Sequence, residues 1–138
     1  MVHCHFLSLL MLIAMIATAS NDIKAYLDAH NHERAKHKAK PLHWDESLAR
    51  AAQKWADHCK FEHSKGKVGP YGASAKYNSE HPQYSHWTQV VWKSTTHVGC
   101  AVQTCNGMFE AKYGPAKFYV CEYSPPGNYV NEFSNNVS

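Results

Sequence analysis

Cysteine is the residue type whose pattern carries the clearest chemical information in this chain of 138 residues. Four of its cysteines are Cys59, Cys100, Cys105 and Cys121, while Cys4 belongs to an apolar N-terminal segment. An even number in a small exported chain indicates two disulfides, and the sequence alone leaves three pairings open. A zinc site is disfavoured, because Cys100 and Cys105 have four residues between them and no second close pair exists.

Serine and histidine are neighbours at two places, His63–Ser64 and Ser85–His86. Such residues can act as nucleophile and base, but adjacent side chains rarely point at each other, and a catalytic triad is defined by its geometry. The chain also lacks the Gly-x-Ser-x-Gly turn that exposes the nucleophile of α/β-hydrolases. We therefore expect a protein that is not an enzyme.

The charge distribution disfavours nucleic acid as a partner. The chain has 14 lysines and arginines against 11 acidic residues, a net charge of +3. The basic residues are scattered, apart from a cluster formed by Arg34, Lys36, Lys38 and Lys40. Such a cluster is usually a solvated face, whereas binding to nucleic acid requires a denser basic stripe.

The first residues predict an export signal. The apolar run Phe6–Ile16 is shorter than the roughly 20 residues that cross a bilayer. Small residues follow at Ala17-Thr18-Ala19, although the segment before the run has histidines in place of lysine or arginine. We expect a cleaved signal peptide at residues 1–19, secretion to the extracellular space, no transmembrane segment, and one domain over residues 20–138.

Two helices are predicted in the first half of that domain. The first follows a cap at Asn21 or Asp22 and ends before Pro41, with a stripe at helical spacing formed by Ile23, Leu27, His30 and Arg34. The face of the second is formed by Leu48, Ala52, Trp55, Ala56 and Cys59.

The second half begins with a predicted long loop, Ser64–Tyr84, containing a short helix near Ala73–Glu80. Two predicted strands, Val98–Cys105 and Lys117–Tyr123, flank turn signals and should form an antiparallel hairpin. Residues 130–138 are expected to be a flexible tail. Helices followed by a loop and strands indicate an α+β domain.

Two segments resemble signature motifs of the CAP superfamily (SCP/TAPS), which includes plant pathogenesis-related protein 1 and fungal secreted proteins. They are His86-Trp87-Thr88-Gln89-Val90-Val91-Trp92 and the run from Tyr119 through Pro125-Pro126-Gly127-Asn128 to Tyr129. His30, Asn31, Arg34 and Leu42–Asp45 resemble the opening of the same domain. The resemblance implies a single small disulfide-stapled α-β-α sandwich, with the pairing Cys59–Cys100 and Cys105–Cys121.

The central region departs from this family. Its members carry Gly-Glu-Asn-Leu after Gly-Pro-Tyr, but here Gly69-Pro70-Tyr71-Gly72 is followed by Ala73. His86 also arrives early. The resemblance therefore implies a CAP domain with a shortened central region.

The family resemblance implies a cleft with two histidines and two acidic residues. His63 and His86 match the histidines, Glu80 is the candidate second acid and Glu62 a weaker one, while Ala73 replaces the other acid. Such a cleft can hold a divalent metal, zinc or magnesium, although none is required for folding or function.

Fungal members of the family bind and export sterols through the loop before the first motif. The residues of this chain that match that loop region are Tyr77, Pro82, Tyr84 and Trp87. The resemblance thus implies a secreted, monomeric protein that binds a sterol or another lipid. The alternatives are a secreted defence or virulence module that acts on a protein partner without binding lipid, and a metal-binding cleft protein that is not catalytic.

Overall fold

The computed structural model describes residues 22–64, 82–129 and 131–137. The predicted signal peptide and the predicted helix near Ala73–Glu80 lie outside these residues. The elements, in chain order, are α1 (22–36), β1 (His43–Trp44), α2 (Glu46–Ala56), α3 (Pro82–Val91), β2 (His97–Cys105), a 3₁₀ turn (Ala111–Tyr113), β3 (Ala116–Ser124) and α4 (Phe133–Asn136). In the part of the chain described, no helix is long and apolar enough to span a membrane.

Helix α2 begins at a well-formed cap. The carboxylate of Asp45 accepts hydrogen bonds from the backbone N–H groups of Ser47 (2.7 Å) and Leu48 (3.0 Å), which have no partner within the helix. The helix buries a face of small and apolar residues, as predicted: Leu48, Ala49, Ala51, Ala52, Trp55 and Ala56. It ends before Cys59, whose φ of 51° places that residue in a left-handed turn.

The three strands form one sheet in the order β1-β2-β3. β2 and β3 pair antiparallel from His97 opposite Ser124 to Cys105 opposite Ala116, which confirms the predicted hairpin. Helix α2 packs on the face that carries Phe118 and Val120, with Trp55 in that core.

The opposite face of the sheet is covered by residues of α1. Tyr26 and Leu27 pack against the buried cluster of Leu42, Val98 and Cys100. Helices thus lie on both faces of one sheet, and the predicted α-β-α sandwich is confirmed.

The disulfide pairing implied by the resemblance is wrong. The bonds are Cys59–Cys105 and Cys100–Cys121. Cys100 and Cys121 lie directly opposite each other on β2 and β3. Cys105 is five residues beyond Cys100, and because side chains alternate along a strand it points to the other face. That is the face of α2, where Cys59 follows the helix, so the sheet itself excludes Cys105–Cys121.

Helix α3 replaces part of the predicted loop. The loop was expected to extend to Tyr84, but the helix begins at Pro82. Proline suits the first turn of a helix, because its missing N–H would have no partner there.

The tail contacts the rest of the domain where the structure describes it. Helix α4 lies in residues that were expected to be flexible, and the ring of Phe133 packs edge-on against Trp92 at 5.1 Å. The Asn136 side chain accepts a hydrogen bond from the backbone N–H of Ser94. The tail therefore packs back onto the residues that follow α3.

Arg34 is not part of a solvated basic face. It is fully buried, and its guanidinium donates to four backbone carbonyls at 2.7–2.9 Å, those of Lys40, Val90, Trp92 and Thr95. A planar fork of donors suits this arrangement, which a lysine could not reproduce. Arg34 thereby fixes the end of α3 against α1.

Candidate functional site

The structure brings His63 and His86 together. His63 lies in the loop that follows α2, and His86 lies in the middle of α3. Their rings stack with centroids 5.2 Å apart and planes inclined by 19°. His63 is half-buried and His86 is exposed, so the pair lies at the surface between two elements that are distant in sequence.

A buried carboxyl group belongs to the same region. Glu122 of β3 is only 4% exposed, and the hydroxyl of Ser64, next to His63, forms a hydrogen bond with its carboxyl group. Burial raises the pKa of Glu122 above its ordinary value of 4.5, while the bond from Ser64 acts in the opposite direction. The Glu122 carboxyl therefore holds its proton at a higher pH than an exposed glutamate.

Sequence reasoning missed Glu122 as a site residue. The second motif contains Glu122, but glutamate is rarely buried, so the motif alone does not predict a site residue there. A signal was present: Glu122 shares the face of β3 with Phe118 and Val120, since side chains repeat every second residue along a strand.

The described residues do not form a good metal site around the histidine pair. Ring lone pairs lie in the ring planes, and two nearly parallel rings do not direct them toward one ion. The described part of the chain does bring three possible ligands, His30, Cys100 and Cys121, within 4.8 Å. Because its two sulfurs form a disulfide, that group is no metal site either. The zinc or magnesium site stays a prediction.

The structure describes only some of the other candidate residues. Tyr77 and Glu80 lie outside the described residues, and Pro82 and Tyr84 are placed as backbone of α3. Trp87 is 36% exposed, and its indole N–H donates to Glu33 of α1 at 3.2 Å. The described contacts of Trp87 are thus made with α1 and with His37, the residue that follows it.

The two signature motifs bind each other through buried polar groups. The side chain of Gln89 donates to the hydroxyl of Thr95 (3.0 Å) and accepts from the backbone N–H of Gly127 (2.7 Å). The Thr88 hydroxyl donates to the side-chain oxygen of Asn128 at 2.6 Å. All of these side chains are buried, so these motif residues hold the scaffold together and do not face a ligand.

A shallow groove of about 370 Å³ lies at a different place, along the edge of β2 between α1 and α2. In the described chain, β1 pairs with β2 only as far as Val98. Its lining combines apolar and charged residues and includes Ile23, Tyr26, Trp44, Arg50 and Val102. None of its lining residues belongs to α3 or to the loop of His63.

The fold and the motifs agree with the comparisons. Residues 27–123 match the Cysteine-rich secretory protein (CAP) family, and the chain belongs to that family. Among solved structures, that of MpPR-1i superposes with a TM-score of 0.63 at 26% identity, covering 83% of this chain and 94% of that one.

The curated relatives include proteins of fungi and plants. The fruiting body protein SC14 of Schizophyllum commune is 35% identical over 82% of this chain, which spans 65% of that relative, less than two thirds. The secreted protein PRY1 of Candida albicans is 37% identical over 80% of this chain and 31% of its own length. Pathogenesis-related protein 1A of Nicotiana tabacum is 33% identical over 91% of this chain and 88% of its own length. That last alignment has 156 positions, so the tobacco protein carries residues within the match that this chain lacks.

Proposed function

We propose that this chain is an exported CAP-family protein that captures a sterol or a related lipid and does not catalyse a reaction. The observation that carries the proposal is the contact between His63 and His86. It draws the first turns of α3, which contain the lipid-loop candidates Pro82 and Tyr84, toward the loop that follows α2. Two candidate parts of a binding cleft thereby become neighbours. The relatives named secreted proteins support export.

Binding is favoured over hydrolysis by the state of Ser64 and Glu122. A serine nucleophile needs a partner that takes its proton. It must also be reachable by a substrate, but Ser64 is only 3% exposed and its hydroxyl bonds to the Glu122 carboxyl group, which is 4% exposed. This pair is a structural contact beside the histidines.

A radiolabelled sterol, in detergent below its micellar concentration, tests the proposal directly. The wild-type protein should bind it saturably, and Tyr84→Ala should weaken binding at least about tenfold if the ring buries against the ligand. Tyr129→Ala is the matched control, because Tyr129 is 51% exposed and is not a candidate residue of the lipid loop. Absence of saturable binding by the wild-type protein would reject sterol capture.

A further variant tests where on the protein the lipid binds. Val102→Arg places a charge in the groove beside β2, at a residue that is 39% exposed and tolerant of substitution. If Val102→Arg loses sterol binding and Tyr84→Ala retains it, the sterol binds in the groove. The opposite result supports the site beside α3.

The runner-up is a secreted module of defence or virulence that acts on a protein partner. If sterols and fatty acids fail to bind while the fold is intact by circular dichroism, this alternative is favoured.

A further inference from the structure

Three large aromatic side chains are exposed near the end of the sheet where β2 ends and β3 begins. Phe61 is 78% exposed, Phe109 is 54% exposed and Tyr113 is 68% exposed. Phe61 and Phe109 face each other with ring centroids 6.4 Å apart, and Tyr113 lies on the same β2–β3 connection as Phe109. We call these three residues the aromatic tip.

The aromatic tip is held by covalent and packing contacts. Cys59, two residues before Phe61, is bonded to Cys105 at the end of β2. The Phe61 ring also packs on Phe118, a core residue that is 8% exposed, at 6.1 Å. The aromatic tip is therefore preorganised, and binding to it would not carry the entropic cost of ordering these side chains.

The residues around the tip favour one kind of partner. Three exposed lysines, Lys60, Lys112 and Lys117, adjoin it, and Lys112 lies 4.9 Å from the centre of the Tyr113 ring. Glu62 and Glu110 are also present, so the local charge is mildly positive, like that of the whole chain. Tyrosine and lysine join an apolar body to a polar end, which suits the boundary between lipid tails and headgroups.

The size and position of the aromatic tip also favour a lipid surface as its partner. It lies at a hairpin connection, and three side chains supply less than the roughly 800 Å² that each partner buries in a stable protein complex. Binding to a bilayer needs no such area, because a few apolar side chains can enter the bilayer surface. We propose that the aromatic tip inserts Phe61 and Phe109 into the surface of a lipid bilayer. This proposal is tested separately from sterol capture: Phe61 lies only two residues before His63, but none of the tip residues is a candidate for the lipid loop or lines the groove.

Co-sedimentation with sterol-free vesicles tests the insertion. Neutral vesicles of phosphatidylcholine should bind the protein, and vesicles that also contain phosphatidylserine should bind it more tightly in low salt. Replacing either phenylalanine by alanine should lower the partition coefficient at least about tenfold in both kinds of vesicle. Tyr119→Ala is the matched control, since Tyr119 is 58% exposed on the other face of β3.

The outcomes separate the alternatives. Failure of the wild-type protein to bind vesicles, or binding that Phe61→Ala and Phe109→Ala leave unchanged, overturns the proposal. So does a concentration-dependent dimer that either variant abolishes, because a second copy would then cover the tip. If the protein binds vesicles but does not bind sterol in detergent, membrane insertion by the aromatic tip is supported and sterol capture is rejected. If it binds sterol but not vesicles, only membrane insertion is rejected.

Discussion

The two ends of the β2–β3 hairpin are built in opposite ways. At the end where His97 faces Ser124, which we call the motif end, buried polar side chains close the structure by hydrogen bonds to backbone and to one another. At the other end, where Cys105 faces Ala116, a disulfide holds exposed aromatic rings in place. Among the described residues, the motif end satisfies its buried polar side chains internally except for the indole N–H of Trp92, whereas the aromatic tip leaves apolar surface unused.

This difference explains which part of the molecule carries a family signature. A buried polar group must find its partner, so each member of such a network restricts the residue types of the others. Gln89 and Gly127 lie in different motifs and bond to each other. The signature motifs therefore encode the scaffold, and recognising them establishes the fold much more firmly than the ligand.

The largest effect is expected at the motif end, from Arg34→Met. This change removes four hydrogen bonds and leaves buried carbonyls without a donor, so the free energy of unfolding should fall by about 3–5 kcal/mol. Urea denaturation followed by tryptophan fluorescence measures it. Arg50→Met on the exposed face of α2 is the control and should stay within about 0.5 kcal/mol. Equal losses in both variants would contradict the role assigned to Arg34.

Next in size is the loss of the bond beneath the aromatic tip. Cys59 and Cys105 are 46 residues apart, and replacing both by alanine should lower the free energy of unfolding by roughly 2–4 kcal/mol. The same variant should bind vesicles more weakly than the wild-type protein, because Phe61 loses its fixed position. Peptide mapping of the unreduced protein checks the pairing first. A peptide joining Cys59 to Cys100 would show that the pairing Cys59–Cys105 and Cys100–Cys121 is incorrect.

A smaller, pH-dependent effect is expected from Glu122→Gln. Burial raises the folded-state pKa of Glu122 above 4.5, so ionisation opposes folding as the pH rises from that value through the folded-state pKa. The variant should match the wild type below pH 4.5 and become more stable at higher pH, by on the order of 1 kcal/mol for one buried polar group. Thermal unfolding between pH 4 and pH 8 measures this. Glu132→Gln, at an exposed position, is the control, and a pH-independent difference for Glu122→Gln would refute the assignment.

The sequence predicted the elements well and the side-chain environments less well. Helix α2 and the hairpin follow from periodicity, because each buries one face. The disulfides were paired wrongly, since the pairing depends on which face of β2 each cysteine occupies. Arg34 was assigned to a solvated cluster, although its place on the stripe of Ile23, Leu27 and His30 was a sign of burial.

The candidate site was predicted only in outline. The contact of His63 with His86 was implied by the resemblance, but its ring geometry depends on how the loop after α2 meets α3. Glu122 was overlooked because burial of a carboxyl group depends on its partners in three dimensions, here Ser64. The aromatic tip was missed for a related reason: phenylalanine in a sequence predicts burial, and only the fold shows that Phe61 and Phe109 are exposed.

The smallest effect on stability is expected at the aromatic tip itself. Phe61→Ala removes a ring that is 78% exposed, so the free energy of unfolding should change by no more than about 0.5 kcal/mol. Phe118→Ala, in the core directly beneath it, should lower that free energy by about 3–5 kcal/mol. Chemical denaturation of both variants makes the comparison. A large loss in Phe61→Ala would mean that the ring serves the fold, and its exposure would then need no partner. A small loss leaves Phe61 as a residue that the fold holds in place without requiring it, which is the property expected of a surface used for binding.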